Sequence, residues 1–337
     1  MLLKKRPTRD DVARAAGVSG WTVSNVLNGS SLASIREETR VRVLAAAEEI
    51  GYRPNNTARA LVTGRFSSIA FWMCFDYSQH RAHVLHRMKQ QMAGSGFEII
   101  IRDIEQELNT APNTSRSFHL PVDGIIVLDT DTAGPAFSRL NPSASIPFVS
   151  MGGYWTEERD CVGVDLYAGT VDAITHLIES GRRNIVYITP QPNKHWPADT
   201  RMAAYEKTMR EAGLETRFIW LPDLSLASVR KASSEYLRDT ANKPDALFCH
   251  NDDVALGAYR AICDVGATVG HDIALVGCDG IEECDYLACP ITTISQPIDE
   301  MCALAWEFLA RRIEEPDCPL QQRILKPKLV VRASTQP

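Results

Sequence analysis

The tightest constraint on this chain lies in residues 8–29, where two helices must meet across a very short turn. Thr8-Arg-Asp-Asp11 has capping-box spacing: a hydroxyl and a carboxylate three residues apart, each able to satisfy a backbone N–H near the other. Val12, Ala13 and Ala16 follow at helical spacing. Gly17 stops the helix, because glycine enters the left-handed region without a steric penalty. Val18 then packs inward, and Ser19 is placed to cap a second helix that buries Val23, Val26 and Leu27 and stops at Asn28-Gly29. Two short helices about Ala-Gly-Val-Ser make a helix-turn-helix. Its second helix presents Gly20, Trp21, Ser24 and Asn25 outward, toward a DNA major groove. Trp21 reads either as a base or sugar contact or as a partly buried packing residue.

A third helix is expected from Ser34-Ile-Arg-Glu37, a second capping box, through Val41, Val43, Leu44, Ala47 and Ile50 to Gly51. Tyr52-Arg-Pro54 ends it, since proline lacks the N–H and restricts the residue before it. Residues 55–64 form a weakly apolar helix candidate, too short to be stable alone in water.

The remainder alternates apolar runs with amphipathic stretches. Strands are expected at 69–73, 98–101, 124–128, 148–150, 161–164, 184–188, 217–220, 246–249 and 273–276, with helices at 81–93, 168–180, 200–212, 227–238 and 253–265. Strand–helix alternation with near-continuous apolar strands implies parallel sheets covered on both faces. Ligands of such sheets sit outside the carboxyl ends of the strands.

Charge divides the chain in the same place. Residues 1–65 hold eleven Lys/Arg and six Asp/Glu, whereas the rest holds 25 and 36, so a basic head sits on an acidic body whose whole carries −6. A basic head suits phosphate docking. The nine cysteines are scattered without a C-x-x-C pair, which fits reduced thiols in a cytoplasmic protein better than a disulfide framework. No signal-peptide pattern and no run of about 18 apolar residues is present, so a membrane partner is not expected. No G-x-S-x-G, Walker or H-E-x-x-H motif points to catalysis, and neither an enzyme nor a cofactor is expected.

Several segments resemble the LacI/GalR family of repressors: Asp11–Ser19, Thr22-Val-Ser24, Val26–Gly29, Glu38-Thr-Arg40, Val43–Asn55 and Ala58-Arg-Ala-Leu61. The likeness continues through Val122-Asp-Gly-Ile125, Val162-Gly-Val-Asp165, Ser180-Gly-Arg-Arg183, Asn251-Asp252, Ala255-Leu-Gly257, Val276-Gly-Cys-Asp279, Ile291-Thr-Thr-Ile294 and Gln296-Pro297. The resemblance implies a helix-turn-helix domain (1–54), a hinge helix (55–64) and a two-lobed, periplasmic-binding-protein-like α/β domain (65–337). Its lobes would span about 65–163 with 295–324, and about 164–294 with 325–337, with crossovers near 163–166, 292–296 and 323–327. It implies a homodimer on a palindromic double-stranded operator. Gly20, Trp21 and Asn25 would read bases, Leu61 would wedge into a central minor-groove step, and Thr8, Ser19, Thr22, Ser24, Asn28, Tyr52, Asn55 and Ala58 would join them at the DNA. The chain departs from the family with Asn25, where arginine is usual, and with a longer loop over 30–36. Asparagine suits adenine rather than guanine.

The same resemblance places a small, sugar-like effector against Phe75, His80, Arg81, Asp129, Asp165, Arg201, Asn251 and Asp279. Arg81 and Arg201 facing one cavity would suit an anionic effector, such as a sugar acid or sugar phosphate. A neutral sugar or nucleoside is the alternative, with the aspartates neutralising the arginines. His80, His83 and His86 recur every three residues, but helical zinc pairs more often use i, i+4 spacing, so no metal is expected. A sugar-binding receptor on the same fold, without a regulatory role, is the competing reading, and residues 1–65 argue against it.

Overall fold

A computed structural model describes residues 7–27, 35–53, 64–74, 78–103, 121–130, 146–155, 158–192, 199–239 and 243–336. Asn28, Asn55, Ala58, Leu61 and Phe75, and residues 55–63 of the expected hinge, lie outside them. The chain divides into two units, Met1–Ser67 and Ser68–Pro337.

In the first unit, α1 (Arg9–Ala16) opens on the expected reciprocal cap: Asp11 N donates to Thr8 Oγ1 at 3.3 Å and Thr8 N donates to Asp11 Oδ2 at 2.9 Å. Gly17 closes the helix at φ 65°. The next helix, α2 (Gly20–Leu27), begins with Thr22 N donating to Ser19 Oγ at 3.1 Å. Val12, Ala16, Val23, Val26 and Val43 make the buried centre, and Arg42 Nε clamps α3 to α1 by donating to the Ala16 carbonyl at 2.9 Å. α3 (Glu37–Glu49) departs from expectation. Its cap is Arg36, with no side-chain cap hydrogen bond, and Ser34 of the expected capping box lies outside the described residues. Glu37 and Glu38 in the first turn supply the favourable charge there instead. Val41 and Leu44 are exposed, because the helix buries only the Val43, Ala46 and Ala47 face.

The second unit holds two six-stranded sheets. The first comprises β1 (Ser68–Met73), β2 (Glu98–Asp103), β3 (Gly124–Leu128), β4 (Phe148–Gly152), β5 (Asp160–Val164) and β11 (Gln322–Leu325), in the order β11-β5-β4-β3-β1-β2. The second comprises β6 (Ile185–Pro190), β7 (Arg217–Leu221), β8 (Ala246–Cys249), β9 (Ala274–Asp279), β10 (Thr292–Ser295) and β12 (Lys328–Val330), in the order β12-β10-β9-β8-β6-β7. Every pairing is parallel except that of β10 with β12.

Burial on both faces explains the continuous apolar strands. Ile185 and Tyr187 join one core cluster while Val186 and Ile188, one residue out of phase, join the other. The helices between them are α4 (Gln79–Gln91), α5 (Leu166–Glu179), α6 (Thr200–Glu211), α7 (Leu226–Arg238), α8 (Asp252–Asp264) and α9 (Ile298–Glu314). Because α5 packs on α6 while α9 packs on α4 and β3–β5, the chain crosses between lobes at Asp165, at 296–297 and at 326–327. The expected second and third crossovers overlap β10 and β11, which complete their sheets before the chain leaves. Cys161, Cys249, Cys278, Cys284, Cys302 and Cys318 are buried thiols.

Candidate functional site

On the helix-turn-helix unit, the outward face of α2 carries Trp21 at 65% exposure, so the packing alternative for this residue does not hold. Gly20 lies against Arg9, whose Nε would stand 3.1 Å from a Cβ added there. Asn25 is half-buried, and its amide nitrogen donates to its own helix at Trp21 O, 2.9 Å away. That bond uses one of the two amide N–H donors and leaves the second and Oδ1 out of it. Ser19 Oγ and Thr22 Oγ1 share a 2.9 Å hydrogen bond, and Tyr52 packs half-buried against the small core.

The second unit contains a cavity of about 590 Å³, part of it open to solvent. It is lined from the carboxyl ends of the strands in both lobes: His80 and Arg81 follow β1, Asp129 follows β3, Tyr154 follows β4, Arg201 follows β6, His250 and Asn251 follow β8, and Asp279 ends β9. That is where an open parallel sheet leaves a crevice. Asp129 (φ 51°) and Asp279 (φ 135°) hold left-handed backbone despite their side chains. Such conformations cost about 1–3 kcal/mol each and mark positions fixed by their surroundings.

One wall is a closed network around Arg201, which is only 4% exposed. Its Nε and Nη2 donate to Asp199 Oδ2 at 2.9 and 2.7 Å, and Nη1 donates to the His250 carbonyl at 2.5 Å. Nη2 also meets Tyr154 Oη at 2.9 Å and His250 Nε2 at 3.1 Å, while Nη1 approaches Cys278 Sγ at 3.9 Å. Tyr154 in turn donates to Asp199 Oδ2 at 2.6 Å, tying the first lobe to the second. Burial works against the Asp199 carboxylate, but the adjacent Arg201 holds its pKa well below the usual range. Burial and the same guanidinium push the His250 pKa down to about 3, so it stays neutral and accepts from Arg201. Arg201's donors therefore have partners inside the protein, and half of the physical case for an anionic effector falls away.

The opposite wall is less satisfied. His80 is 4% exposed, stands 3.7 Å from Asp129 Oδ2, and neither ring nitrogen has a hydrogen-bond partner. Full burial opposes its charge, but Asp279 and Asp129 outweigh this and push its pKa up to about 9. Asp129 Oδ1 accepts from Gly153 N at 2.7 Å. Asp279 Oδ1 accepts from Gln296 Nε2 at 2.8 Å, and burial raises its pKa. Behind it, Asp252 accepts from Gly280 N (2.7 Å), Ile281 N (2.9 Å) and Thr293 Oγ1 (2.7 Å), yet burial and Asp279 push its pKa up to about 7. Gly277 permits this packing, since a Cβ there would lie 2.0 Å from Asp252 Oδ1. Asp253, from the second lobe, accepts from Gln79 N of the first at 3.2 Å; burial raises its pKa.

His80, Arg81, Asp129, Arg201, Asn251 and Asp279 thus line one cavity. Asp165 does not: it caps α5, accepting from Ala168 N at 3.0 Å, because the chain changes lobes at that residue. Sequence reasoning missed Tyr154, Asp199, His250, Asp253 and Gln296 as site residues. Asp199 carried a readable signal, as an aspartate opening a helix two residues before Arg201, whereas nothing local ties Tyr154 to either. His83 accepts from Arg87 and His86 pairs with Gln90, so the three histidines do not converge. Among the described residues no cluster of three His, Cys, Asp or Glu could hold a metal, and no helix is long and apolar enough to cross a membrane.

A helix-turn-helix unit joined to a two-lobed ligand cleft defines a class of regulators, and comparison with known proteins fixes the family. Residues 8–55 match the model of bacterial regulatory proteins, lacI family, and residues 174–335 match the periplasmic binding protein-like domain. The chain is 31% identical over 332 residues to the HTH-type transcriptional repressor PurR of Aliivibrio fischeri (strain MJ11), covering 97% of this chain and 98% of that one. It is 30% identical over 344 residues to the ribose operon repressor of Haemophilus influenzae, with 97% and 98% covered. A solved lac repressor dimer bound to operator and the anti-inducer ONPF shares the fold, with a TM-score of 0.78, 23% identity, and 99% and 100% of the two chains covered. A complex of the transcriptional regulator CelR with cellobiose gives 0.65 at 26% identity, covering 98% and 100%. The chain belongs to the LacI family and is a DNA-binding transcriptional repressor.

Proposed function

We propose that this repressor acts in the cytoplasm as a homodimer on a palindromic operator, and that a small, sugar-like molecule in the interlobe cavity sets its operator affinity. Trp21, Gly20 and Asn25 read the operator, supported at the backbone by Thr8, Ser19, Thr22, Ser24, Asn28, Tyr52, Asn55 and Ala58. Residues 55–64 form the hinge helix, with Leu61 as its minor-groove wedge. The observation that carries the reading is the split ownership of the cavity: His80, Arg81, Asp129 and Tyr154 come from one lobe, and Arg201, Asn251, Asp253 and Asp279 from the other. A ligand touching both sets binds best at one lobe angle, so it biases whatever conformation that angle favours. Coupling of this kind typically amounts to about 1–3 kcal/mol, or about 5–150-fold in affinity. Names of the relatives support the ligand class: one represses a ribose operon and another is complexed with cellobiose.

Selection of DNA sequences on the purified chain, followed by titration of the selected operator with candidate metabolites, tests this reading. A two-fold symmetric site whose affinity responds to a metabolite is expected. A chain that prefers no duplex sequence at moderate salt would contradict it.

A further inference from the structure

The second helix of the helix-turn-helix, α2, carries no charged side chain. Its polar groups are partly engaged: Ser19 Oγ and Thr22 Oγ1 share a hydrogen bond, and one N–H of Asn25 goes to Trp21 O. Residues at the start of such a helix are the ones that face base edges. Here the first residue is Gly20, which has no side chain to offer. Its backbone lies outside the left-handed region, so a special conformation does not call for glycine, and glycine is a poor helix residue. What glycine provides at this position is room.

Arg9 of α1 takes that room. A Cβ built on Gly20 would meet its Nε at 3.1 Å, its Cζ at 3.4 Å and its Nη2 at 3.5 Å. The guanidinium therefore lies where a side chain of residue 20 would begin, and any such side chain would crowd it. One edge of the group is held: Nε and Nη2 donate to Asp10 Oδ1 at 3.4 and 3.3 Å. The pair is exposed, 54% for Arg9 and 73% for Asp10, so it adds little stability, but it sets the direction of the guanidinium. Nη1 and the second N–H of Nη2 take no part in it and form the other fork of the group. Two such N–H groups match O6 and N7 of guanine in the major groove. A phosphate could accept the same fork. The place of the guanidinium against the first residue of α2 favours a base edge.

We propose that Arg9 is a base-reading residue of this repressor, delivering its guanidinium across Gly20 to one guanine in each operator half-site. Gly20 acts by leaving space, and Asp10 by holding the near edge of the group. This inference rests on α2 entering the major groove of the operator.

Selection of DNA sequences on the full-length chain, repeated with Arg9→Ala and Arg9→Met, tests it. The parent is expected to select a site with guanine at one position of each half. Both variants are expected to lose that preference at that position alone, with melting temperature unchanged because the side chain is exposed. Arg9→Met keeps an unbranched stem over Gly20 and is the second variant should Arg9→Ala fail to fold. Affinity for the guanine-bearing site should fall about 5- to 150-fold, and that for the same site with the guanine replaced should change far less. The proposal is overturned if the selected half-site demands no guanine, or if the variants keep the parent's base preferences at every position. It is also overturned if they bind all sequences more weakly by one factor, the mark of a phosphate contact alone. A parent that selects a site its Arg9 variants read unchanged loses only the Arg9 assignment, whereas a parent that selects no sequence loses the regulatory reading as well.

Discussion

The two walls of the cleft solve the same problem, buried charge, in opposite ways. Around Arg201 every strong donor and acceptor finds a partner, so Asp199, Tyr154 and His250 form a closed circuit. Around His80 several polar atoms are left without partners: the imidazole stands 3.7 Å from Asp129 with neither nitrogen hydrogen-bonded, and Asp253 and Gln296 keep orphaned oxygens. A saturated wall holds the lobes in register, while an unsaturated one has free energy to gain from a visitor. Both sets of side chains line one cavity.

The largest effect should come from breaking the saturated wall. Arg201→Leu leaves Asp199 buried without its cation, a change expected to cost about 3–5 kcal/mol. Chemical denaturation would register it, and a loss below 1 kcal/mol would mean the circuit is not structural.

Titrating the unsaturated wall should have the next largest effect. His80 has a folded-state pKa of about 9 against 6.5 unfolded, so its contribution is complete below pH 6.5 and is lost as pH rises to 9. Asp252, held up at about 7, makes the fold less favourable between its ordinary value and pH 7, and changes nothing above. Between pH 7 and 9 the falling stability is therefore mainly His80's, on the order of 2 kcal/mol. His80→Gln should flatten the curve of melting temperature over that window, and an unchanged slope would place the titrating group elsewhere.

Outside the cleft, Trp21→Ala should weaken the selected operator by about 1–3 kcal/mol, as loss of a base-reading side chain does. At 65% exposure it should leave stability nearly unchanged. Equal affinity of variant and parent for the operator would remove Trp21 from the reading helix. Smallest is Tyr154→Phe, which deletes one hydroxyl from the saturated wall, about 0.5–1.5 kcal/mol in thermal denaturation. A larger loss would mean that this hydroxyl alone holds the lobes.

Local rules explain what the sequence made legible. The capping box at Thr8 and Asp11, the left-handed Gly17 and the strands at 124–128 and 246–249 depend on neighbours within a few residues or on burial over both faces. The helix α3 begins at Glu37, where Glu37 and Glu38 occupy the first turn, three residues after the Ser34 that the spacing offers as its cap and that lies outside the described residues. In the cleft, charged residues at strand ends could be foreseen, but their partners could not. Arg201 reads as a ligand clamp until Asp199 and the distant Tyr154 are seen closing on it. Asp253 lies in the first turn of α8, and nothing near it in the chain points to the donation from Gln79 of the other lobe. Pairings across lobes depend on topology, which no local pattern of residues carries.

The central claim, that occupancy of the cleft adjusts the grip on DNA, is tested most directly by equilibrium binding of the intact chain to its selected operator. Affinity would be measured with the cleft empty and then with it saturated by a ligand whose binding calorimetry has established. A shift of about 5–150-fold between the two states is predicted. Identical operator affinities in both states, with the ligand demonstrably bound, would contradict the account.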